Sequence, residues 1–176
     1  MAVISLGGIV ASNSVRVAGD EFDEAIISYM RRRRGILIGG ATAEQLKIRI
    51  GSAHHSCDAG EMEIAGRNLD SGLGAVAKVY SAEIREAISP NIEQIITGIK
   101  KTLEQTPPEL SADIYDFGIM LTGGGALMRG IDKLITERTG IRVHKAQRPL
   151  DSVCAGILRV IQSEGKLGDL LQYRGR

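Results

Sequence analysis

Three consecutive glycines, Gly123, Gly124 and Gly125, constrain this chain more than any other stretch, because they join two segments of different periodicity. The short apolar segment before them, Ile119–Leu121, predicts a strand. The apolar residues after them recur with helical spacing and are Leu127, Ile131, Leu134 and Ile135. We therefore predict a strand, a tight loop and the start of a helix.

This strand-loop-helix unit is a candidate ligand site. Glycine has no Cβ, so the loop can adopt positive φ and let a ligand lie directly against the backbone. The free N–H groups and the positive dipole end of the next helix would point at that ligand. A nucleotide is the type of ligand that such a loop contacts. A tight turn alone also explains the glycines, so both interpretations stay open on the residues.

Composition indicates an ordinary globular chain of 176 residues, 43% of them hydrophobic, which suffices for one core or two small lobes. The 22 basic and 21 acidic residues give a net charge of +1, so we expect no nucleic-acid partner. No apolar stretch approaches the roughly 20 residues that span a bilayer, and no basic segment precedes the first apolar residues. We therefore expect a cytoplasmic location, with Cys57 and Cys154 as reduced thiols.

The first third of the chain predicts a hairpin and two helices. Ala2–Leu6 and Ile9–Val17 read as strands joined by a turn at Gly7-Gly8. A helix capped by Asp20 follows and ends at Gly35. Its last turn, Arg31–Arg34, is either a basic patch for phosphate or membrane or a set of solvated cations that the helix dipole favours.

The second predicted helix, from Thr42 to about Gly51, carries a pair of opposite charges. Gln45 lies three residues after Thr42 and so completes a capping-box pattern. Glu44 and Lys47 are three residues apart and share one face, where they could contact a ribose and a base. A surface ion pair is the alternative.

A polar loop after this helix contains the types of side chain that bind zinc, namely His54, His55, Cys57, Asp58 and Glu61. No second ligand pair follows at zinc-finger spacing. We therefore favour a mobile loop over a metal site.

The rest of the chain predicts further alternation of helices and strands. A helix begins at Ser81 and carries isoleucines at helical spacing, with a break or kink expected at Pro90. Glu109–Asp113 predicts one short helical turn. The remaining predicted elements are strands at Met62–Arg67, Ala75–Tyr80, Phe117–Leu121 and Ile141–Lys145, a last helix at Leu150–Ser163 and a fraying tail from Glu164. This order predicts an α/β sheet lobe with a smaller lobe inserted between its halves.

Four segments together resemble one protein family. The longest is Glu104–Leu134, EQTPPELSADIYDFGIMLTGGGALMRGIDKL. The others are Val3–Val10 (VISLGGIV), Arg16–Ile26 (RVAGDEFDEAI) and Thr42–Ala53 (TAEQLKIRIGSA). Taken in their order along the chain, the four segments closely resemble the C-terminal half of MreB, the family of bacterial actin homologues. The resemblance extends from about residue 1 to about residue 163.

The resemblance implies half of an actin-like ATPase fold. Residues 1–35 and 115–163 would form part of the large subdomain, 36–114 an inserted small α+β subdomain, and 164–176 a flexible tail. MreB-like proteins bind ATP in a cleft between two such halves, form membrane-associated filaments and guide the cell-wall synthesis that determines rod shape. The implied partners are copies of itself or full-length MreB-like filaments and cell-wall elongation proteins, with the membrane reached only indirectly.

The resemblance also assigns site residues. Gly123, Gly124, Gly125, Ala126 and Leu127 match the segment that binds adenosine. Glu44, Gln45, Leu46 and Lys47 match the helix that contacts the ribose and the adenine. The family's Asp-x-Gly-x-x-Thr phosphate loop is absent from this sequence, so Mg²⁺ and the phosphates would be held by the missing half. We expect no ATP hydrolysis by this chain alone and assign no catalytic residue.

Two other functions stay open on the sequence. The chain could be a truncated, non-catalytic module that docks on full-length filaments or modulates them. It could also be related to the actin-fold sugar kinases, which share the glycine turn but not the Thr106–Leu134 string.

Overall fold

The computed structural model describes residues 1–162, so the predicted tail at 164–176 lies outside the described residues. Within this range the strands are β1 Ala2–Ser5, β2 Gly8–Ser12, β3 Ile36–Leu37, β4 Glu61–Asn68, β5 Gly74–Tyr80, β6 Ile119–Leu121 and β7 Val143–Lys145. The helices are α1 Gly19–Arg34, α2 Gly40–Ile50, α3 Ser81–Glu104, α4 Pro108–Phe117, α5 Ile131–Thr139 and α6 Ser152–Gln162. The fold is therefore mixed α/β, as the sequence predicts.

The strands form three separate sheets within residues 1–162. β1 and β2 pair antiparallel, β3, β4 and β5 form an antiparallel sheet in that order, and β6 and β7 pair parallel. The two strands predicted at Met62–Arg67 and Ala75–Tyr80 are confirmed as β4 and β5. β3 has only two residues, which is too short for a periodic signal, and the sequence does not predict it.

The N-terminal hairpin turns one residue earlier than predicted. Ser5 pairs with Gly8, so the turn is Leu6-Gly7 rather than Gly7-Gly8. Both turn residues have positive φ, 50° and 80°, as two-residue hairpin turns of this hand require. The prediction fails because it gives both glycines to the turn, whereas Leu6 adopts the first left-handed position.

Helix α3 lies at the centre of the core. It contacts α1, α2 and α5 as well as β1, β2 and β5. Its buried face consists of isoleucines spaced three or four residues apart, which are Ile84, Ile88, Ile92, Ile96 and Ile99. The same core cluster also contains Phe22, Ile26 and Met30 of α1, Ala43, Leu46 and Ile50 of α2, and Ile131 and Ile135 of α5.

A break or a kink is predicted at Pro90, and the break is wrong. α3 runs without interruption from Ser81 to Glu104, with Pro90 inside it. Proline removes one N–H and frees the carbonyl of Glu86, four residues earlier. Both residues are exposed, so water can solvate that carbonyl, while buried Ile88 and Ile92 hold the helix to the core on either side.

Helix starts differ from the predicted caps, whereas the predicted stop at Gly35 is confirmed with φ 63°. α1 begins at Gly19, where the Glu21 carboxylate accepts a hydrogen bond from the Ala18 N–H at 2.8 Å, and Asp20 is not the cap. α2 begins at Gly40 after Gly39, so the capping box predicted from Thr42 is wrong. Gly39 and Gly40 carry no capping side chain, so a pattern of capping residues cannot predict where this helix begins.

The segment before β6 is more helical than predicted. One short turn is predicted at Glu109–Asp113, but α4 continues to Phe117. Gly118, with φ 86°, then separates the helix from β6, so the strand begins at Ile119 rather than at Phe117.

Replacing Gly66 by alanine should destabilise the fold. A Cβ at Gly66 in β4 would lie 2.5 Å from Ile36 Cγ2 and 2.7 Å from the Leu37 carbonyl oxygen. We expect Gly66→Ala to lower the free energy of unfolding by about 1–3 kcal/mol in urea denaturation, because β3 must shift.

Gly74→Ala is the matched control, because a Cβ at Gly74 in β5 meets no atom within 4 Å. Its free energy of unfolding should stay within about 0.5 kcal/mol of the parent. Equal effects of the two substitutions would contradict the close packing of β3 on β4.

Candidate functional site

The glycine loop follows β6 directly but does not open a helix. Gly123 has φ 79°, which favours glycine, and Gly124–Leu127 form a single 3₁₀ turn. α5 begins only at Ile131, after Gly130 with φ 74°. The predicted helix start at the glycines is therefore wrong, because Gly130 adds a second turn before the periodic apolar residues become helical.

The loop is held by the segment after β7. Leu121, the last residue of β6, accepts a hydrogen bond from the Ala146 N–H at 2.9 Å. The Gly123 N–H and the Thr122 hydroxyl both donate to the carbonyl oxygen of Pro149, at 2.9 and 3.1 Å. The loop backbone is thus positioned by hydrogen bonds, although glycines alone are flexible.

Space above the loop is open. A Cβ added at Gly123 or Gly125 would meet no atom within 4 Å, and one at Gly124 would meet only the Leu150 side chain at 3.7 Å. No positive φ is required at Gly124 or Gly125. Neither packing nor backbone conformation within residues 1–162 therefore requires glycine at these two positions, which leaves room for a ligand against the backbone.

The other two residues predicted in this segment differ in exposure. Ala126 is buried in the core, and Leu127 is more than half exposed. Ala126 can meet a ligand only through its backbone, whereas Leu127 can offer an apolar surface.

The predicted residues of α2 also divide between surface and core. Glu44 and Gln45 are exposed, and within residues 1–162 Glu44 has no ion-pair partner. The Leu46 side chain is fully buried. Lys47 does not pair with Glu44; its ammonium donates to Asp23 Oδ2 at 2.7 Å and to the Gly19 carbonyl oxygen at 3.0 Å.

This lysine therefore joins α2 to α1. Its side chain is 15% exposed, and a lysine ammonium has three N–H donors, so one donor remains beyond the two hydrogen bonds to α1. The surface-pair alternative for Glu44 and Lys47 is not what the structure shows.

Arg129, two residues after the glycine loop, links this part of the chain to the end of α2. Its carbonyl oxygen accepts from the Ala53 N–H at 2.7 Å, just past the end of α2. Its guanidinium donates to the Arg49 carbonyl oxygen at 2.5 Å. A bridge between Ser52 and Arg129 completes the link. Sequence reasoning missed Arg129 because a basic residue in a loop carries no sign of a partner 80 positions away.

Comparison with known proteins identifies the family. The sequence model described as MreB/Mbl protein matches residues 1–168. The cell shape-determining protein MreB of Escherichia coli K12 is 49% identical over 173 residues, which cover 97% of this chain and 49% of the relative. The chain belongs to the MreB/Mbl family.

Other relatives support the same family assignment. The cell shape-determining protein Mbl of Bacillus subtilis is 42% identical over 167 residues, which cover 95% of this chain and half of the relative. The crystal structure of MreB5 of Spiroplasma citri bound to AMPPNP superposes with a TM-score of 0.89 at 39% identity, over 94% of this chain and 50% of that one. The same protein bound to ADP gives a TM-score of 0.88.

The actin-like fold extends to more distant proteins. A MamK double helical filament superposes with a TM-score of 0.69 at 21% identity, which shows a shared fold. This MreB/Mbl chain spans about half the length of the curated relatives that it matches. No helix among residues 1–162 combines the length and apolarity that crossing a bilayer requires.

The histidine loop of this MreB/Mbl chain, from His54 to Glu61, carries the side chains that the sequence analysis considers as zinc ligands. Across residues 1–162, no three His, Cys, Asp or Glu side chains are placed to share a metal ion. The loop that the sequence predicts to be mobile contacts α5 and the residue before it: His54 Nε2 lies 3.0 Å from Glu137 Oε2, and Cys57 packs near Gly130, where an added Cβ would lie 3.0 Å from Cys57 Sγ.

Asp58 ties the other side of this loop to α3. Its carboxylate accepts from the Arg85 guanidinium at 3.1 and 3.2 Å and from the Ser52 hydroxyl at 2.5 Å. The hydrogen bond from Arg85, supported by the one from Ser52, holds the pKa of Asp58 below its ordinary value despite partial burial. The carboxylate thereby stabilises the folded state in its ionised form.

Asp58→Asn should lower the free energy of unfolding by about 1 kcal/mol at pH 7, because Arg85 loses its ionised partner at a partly exposed site. Since the folded-state pKa is lowered, the contribution is present above the ordinary pKa of about 4 and is lost as pH falls through the folded value. Urea denaturation from pH 7 to pH 3 should show the difference between parent and variant shrinking below about pH 4.

Asp70→Asn serves as the control, because Asp70 lies in the exposed β4–β5 turn. It should change the free energy of unfolding by less than about 0.5 kcal/mol. A difference for Asp58→Asn that stays constant across this pH range would contradict the role of the ionised carboxylate.

Proposed function

We propose that this chain is the C-terminal half of an MreB-type filament protein and contacts the adenosine part of ATP. The contacts would come from the glycine loop, Gly123–Leu127, and from α2 at Glu44–Lys47. The observation that carries the proposal is the open backbone above Gly124 and Gly125, where no neighbour in the chain requires glycine. Support comes from S. citri MreB5, which is bound to AMPPNP in the structure that this chain resembles at 39% identity.

Each segment has a distinct part in this proposal. Gly124 and Gly125 let the nucleoside approach the backbone, because a side chain there would occupy its place. Lys47 already makes two hydrogen bonds to α1, which orient its ammonium and leave a third donor for a ribose or base oxygen. Glu44, exposed on the same helix, can accept from a ribose hydroxyl.

The phosphate end of the nucleotide needs other groups. The 176 residues contain no Asp-x-Gly-x-x-Thr loop. We infer that the β- and γ-phosphates and any Mg²⁺ are held by the other half of an MreB-type protein, so that the nucleotide site is composite. This chain alone then does not hydrolyse ATP.

The cellular part of the proposal follows from the relatives. E. coli MreB and B. subtilis Mbl are cell shape-determining proteins. We propose that this chain acts in the cytoplasm with MreB-like filaments that guide cell-wall elongation proteins, and that any membrane contact is made through those filaments. A second candidate is a docking module without a nucleotide role. It is favoured by the edges of β1 and β6 that have no partner strand among residues 1–162.

Titration of the purified chain with a fluorescent ATP analogue tests the nucleotide role. Gly124→Val places a side chain where the nucleoside would lie, and Lys47→Ala removes a charged donor. Each variant should weaken binding by about tenfold or more. For Lys47→Ala the reason is the lost hydrogen bond to a charged group, which contributes about 1.5–3 kcal/mol. For Gly124→Val the reason is the space that the new side chain occupies.

Gly74→Val is the matched control, because Gly74 also faces open space but lies in β5, and its affinity should equal that of the parent. ADP and ATP analogues should bind the isolated chain within about threefold of each other, because the phosphates meet no dedicated group here. If Lys47→Ala lowers only the free energy of unfolding and Gly124→Val binds like the parent, the adenosine site is wrong and the docking module is favoured.

A further inference from the structure

An ion pair joins Asp23 of α1 to Lys47 of α2, which is a residue of the proposed nucleotide site. The Lys47 ammonium donates to Asp23 Oδ2 at 2.7 Å, and the two side chains are only 15% and 16% exposed. The other carboxylate oxygen, Asp23 Oδ1, is the one buried side-chain oxygen or nitrogen that has no hydrogen-bond partner within residues 1–162. One oxygen of a charged group is therefore removed from water without a donor in its place.

Such a pair stabilises a fold poorly. Burial removes the hydration of both charges, and their attraction offsets that loss only when the remaining hydrogen-bonding groups are satisfied. Asp23 Oδ1 is not satisfied, and an unpaired buried acceptor is destabilising. Phe22 and Ile26 of α1 and Leu46 of α2 already belong to the apolar core. The stability of the fold therefore does not explain why this pair is present.

The position of the Lys47 ammonium depends on Asp23. Gly19 is the first residue of α1, and its carbonyl oxygen accepts the second hydrogen bond from Lys47, at 3.0 Å. The N-terminal end of a helix carries a positive partial charge, which disfavours a cation there. The Asp23 carboxylate lies one turn further along α1 and supplies the negative charge that offsets this repulsion. Without that charge, the flexible lysine side chain would turn its ammonium towards water.

We propose that Asp23 is a positioning residue of the nucleotide site, which holds Lys47 so that its third N–H meets the ribose or the base of a nucleoside. The inference rests on the proposed function, because it needs the nucleoside contact of Lys47. Asp23 Oδ1 is enclosed by the protein and Oδ2 is bonded to the ammonium, so Asp23 acts through Lys47 and touches no ligand itself. The pair then contributes to nucleotide affinity and not to stability.

A double-mutant cycle on the full 176-residue chain tests this role, with the fluorescent ATP analogue as the probe. Asp23→Asn keeps the shape of the side chain and removes its charge. It should weaken binding by about fivefold or more, because the ammonium is no longer held. In the Lys47→Ala background the same substitution should change the affinity by less than about twofold, because the group that Asp23 positions is gone.

Nuclear magnetic resonance of isotope-labelled lysine reports the positioning without any nucleotide. An ammonium that is held by hydrogen bonds exchanges its protons with water more slowly than an exposed one, which sharpens its proton–nitrogen correlation signal. The signal that disappears in Lys47→Ala belongs to Lys47. It should broaden or vanish in Asp23→Asn, an effect on the ammonium that a purely structural role of Asp23 would not produce.

Asp20→Asn is the matched control, because Asp20 is exposed in the first turn of the same helix and the substitution removes the same charge. Its affinity should stay within about twofold of the parent, and the Lys47 signal should be unchanged.

Replacement of the whole pair separates affinity from stability. Asp23→Leu combined with Lys47→Met removes both charges and the unpaired oxygen at similar side-chain volume. This double variant should unfold in urea at a midpoint equal to or above that of the parent, while its nucleotide affinity falls as far as that of Lys47→Ala. A lower midpoint would show that the pair stabilises the fold, and would overturn the inference.

The remaining outcomes tell the inference apart from the proposed function. If Lys47→Ala binds weakly but Asp23→Asn binds like the parent, the positioning role is wrong and the nucleotide site stands. If Asp23→Asn weakens binding equally with and without Lys47, Asp23 acts on the fold and the positioning role is again wrong. If a folded parent binds no analogue, or Lys47→Ala binds like the parent, the proposed nucleoside contact of Lys47 fails and this inference fails with it.

Discussion

The burial of one face of α3 is the interaction on which the rest of the structure depends. This helix is 24 residues long, and its isoleucines meet residues from α1, α2 and α5 at once. Full burial of an isoleucine contributes about 1.5–3 kcal/mol, so the five isoleucines of the buried face outweigh any single polar contact in the chain. The polar links, such as Asp58 with Arg85 and Lys47 with Asp23, then fix how loops and helices are placed on that core.

A complete helical core and incomplete sheets coexist in this chain. α1, α2 and α3 bury their apolar faces against one another. Among residues 1–162, by contrast, β1 pairs only with β2, β6 pairs only with β7, and α6 has no buried residue. The chain spans half the length of its MreB/Mbl relatives, and its open surfaces lie at sheet edges and at the glycine loop. The proposed nucleotide site needs groups from outside these residues to hold the phosphates.

Much of the fold was predictable because its signals are local. The isoleucine spacing of α3, the alternating β4 and β5, and the helix stop at Gly35 each reflect periodicity or a single left-handed residue. The family resemblance, confirmed by the match over residues 1–168, added the actin-like fold. The starts of α1 and α2 were misplaced because each helix begins at a glycine, whereas capping side chains, Asp20 and Thr42, were expected to begin them. The start of α5 was misplaced because Gly130 adds a turn after the glycine loop.

The site was predictable only in part because its geometry depends on distant partners. Sequence placed Lys47 beside Glu44, but the ammonium pairs with Asp23, 24 positions away. Arg129, which links the glycine loop to α2, bonds across 80 positions and carries no local signal. Pro90 shows the opposite case: a strong local signal for a helix break is overridden by the buried isoleucines on either side.

Amide hydrogen exchange of the isolated chain, followed by mass spectrometry, tests most directly the claim that a complete helical core carries open sheet edges. The structure predicts the slowest exchange in α3 around Ile88–Ile96 and in the central strand β4, because these amides are bonded and covered. It predicts fast exchange at Ala2, Ile4 and Met120, whose N–H groups have no partner among the described residues. Slow exchange at these three amides, equal to that of β4, would show that the edges are already paired and would contradict the account.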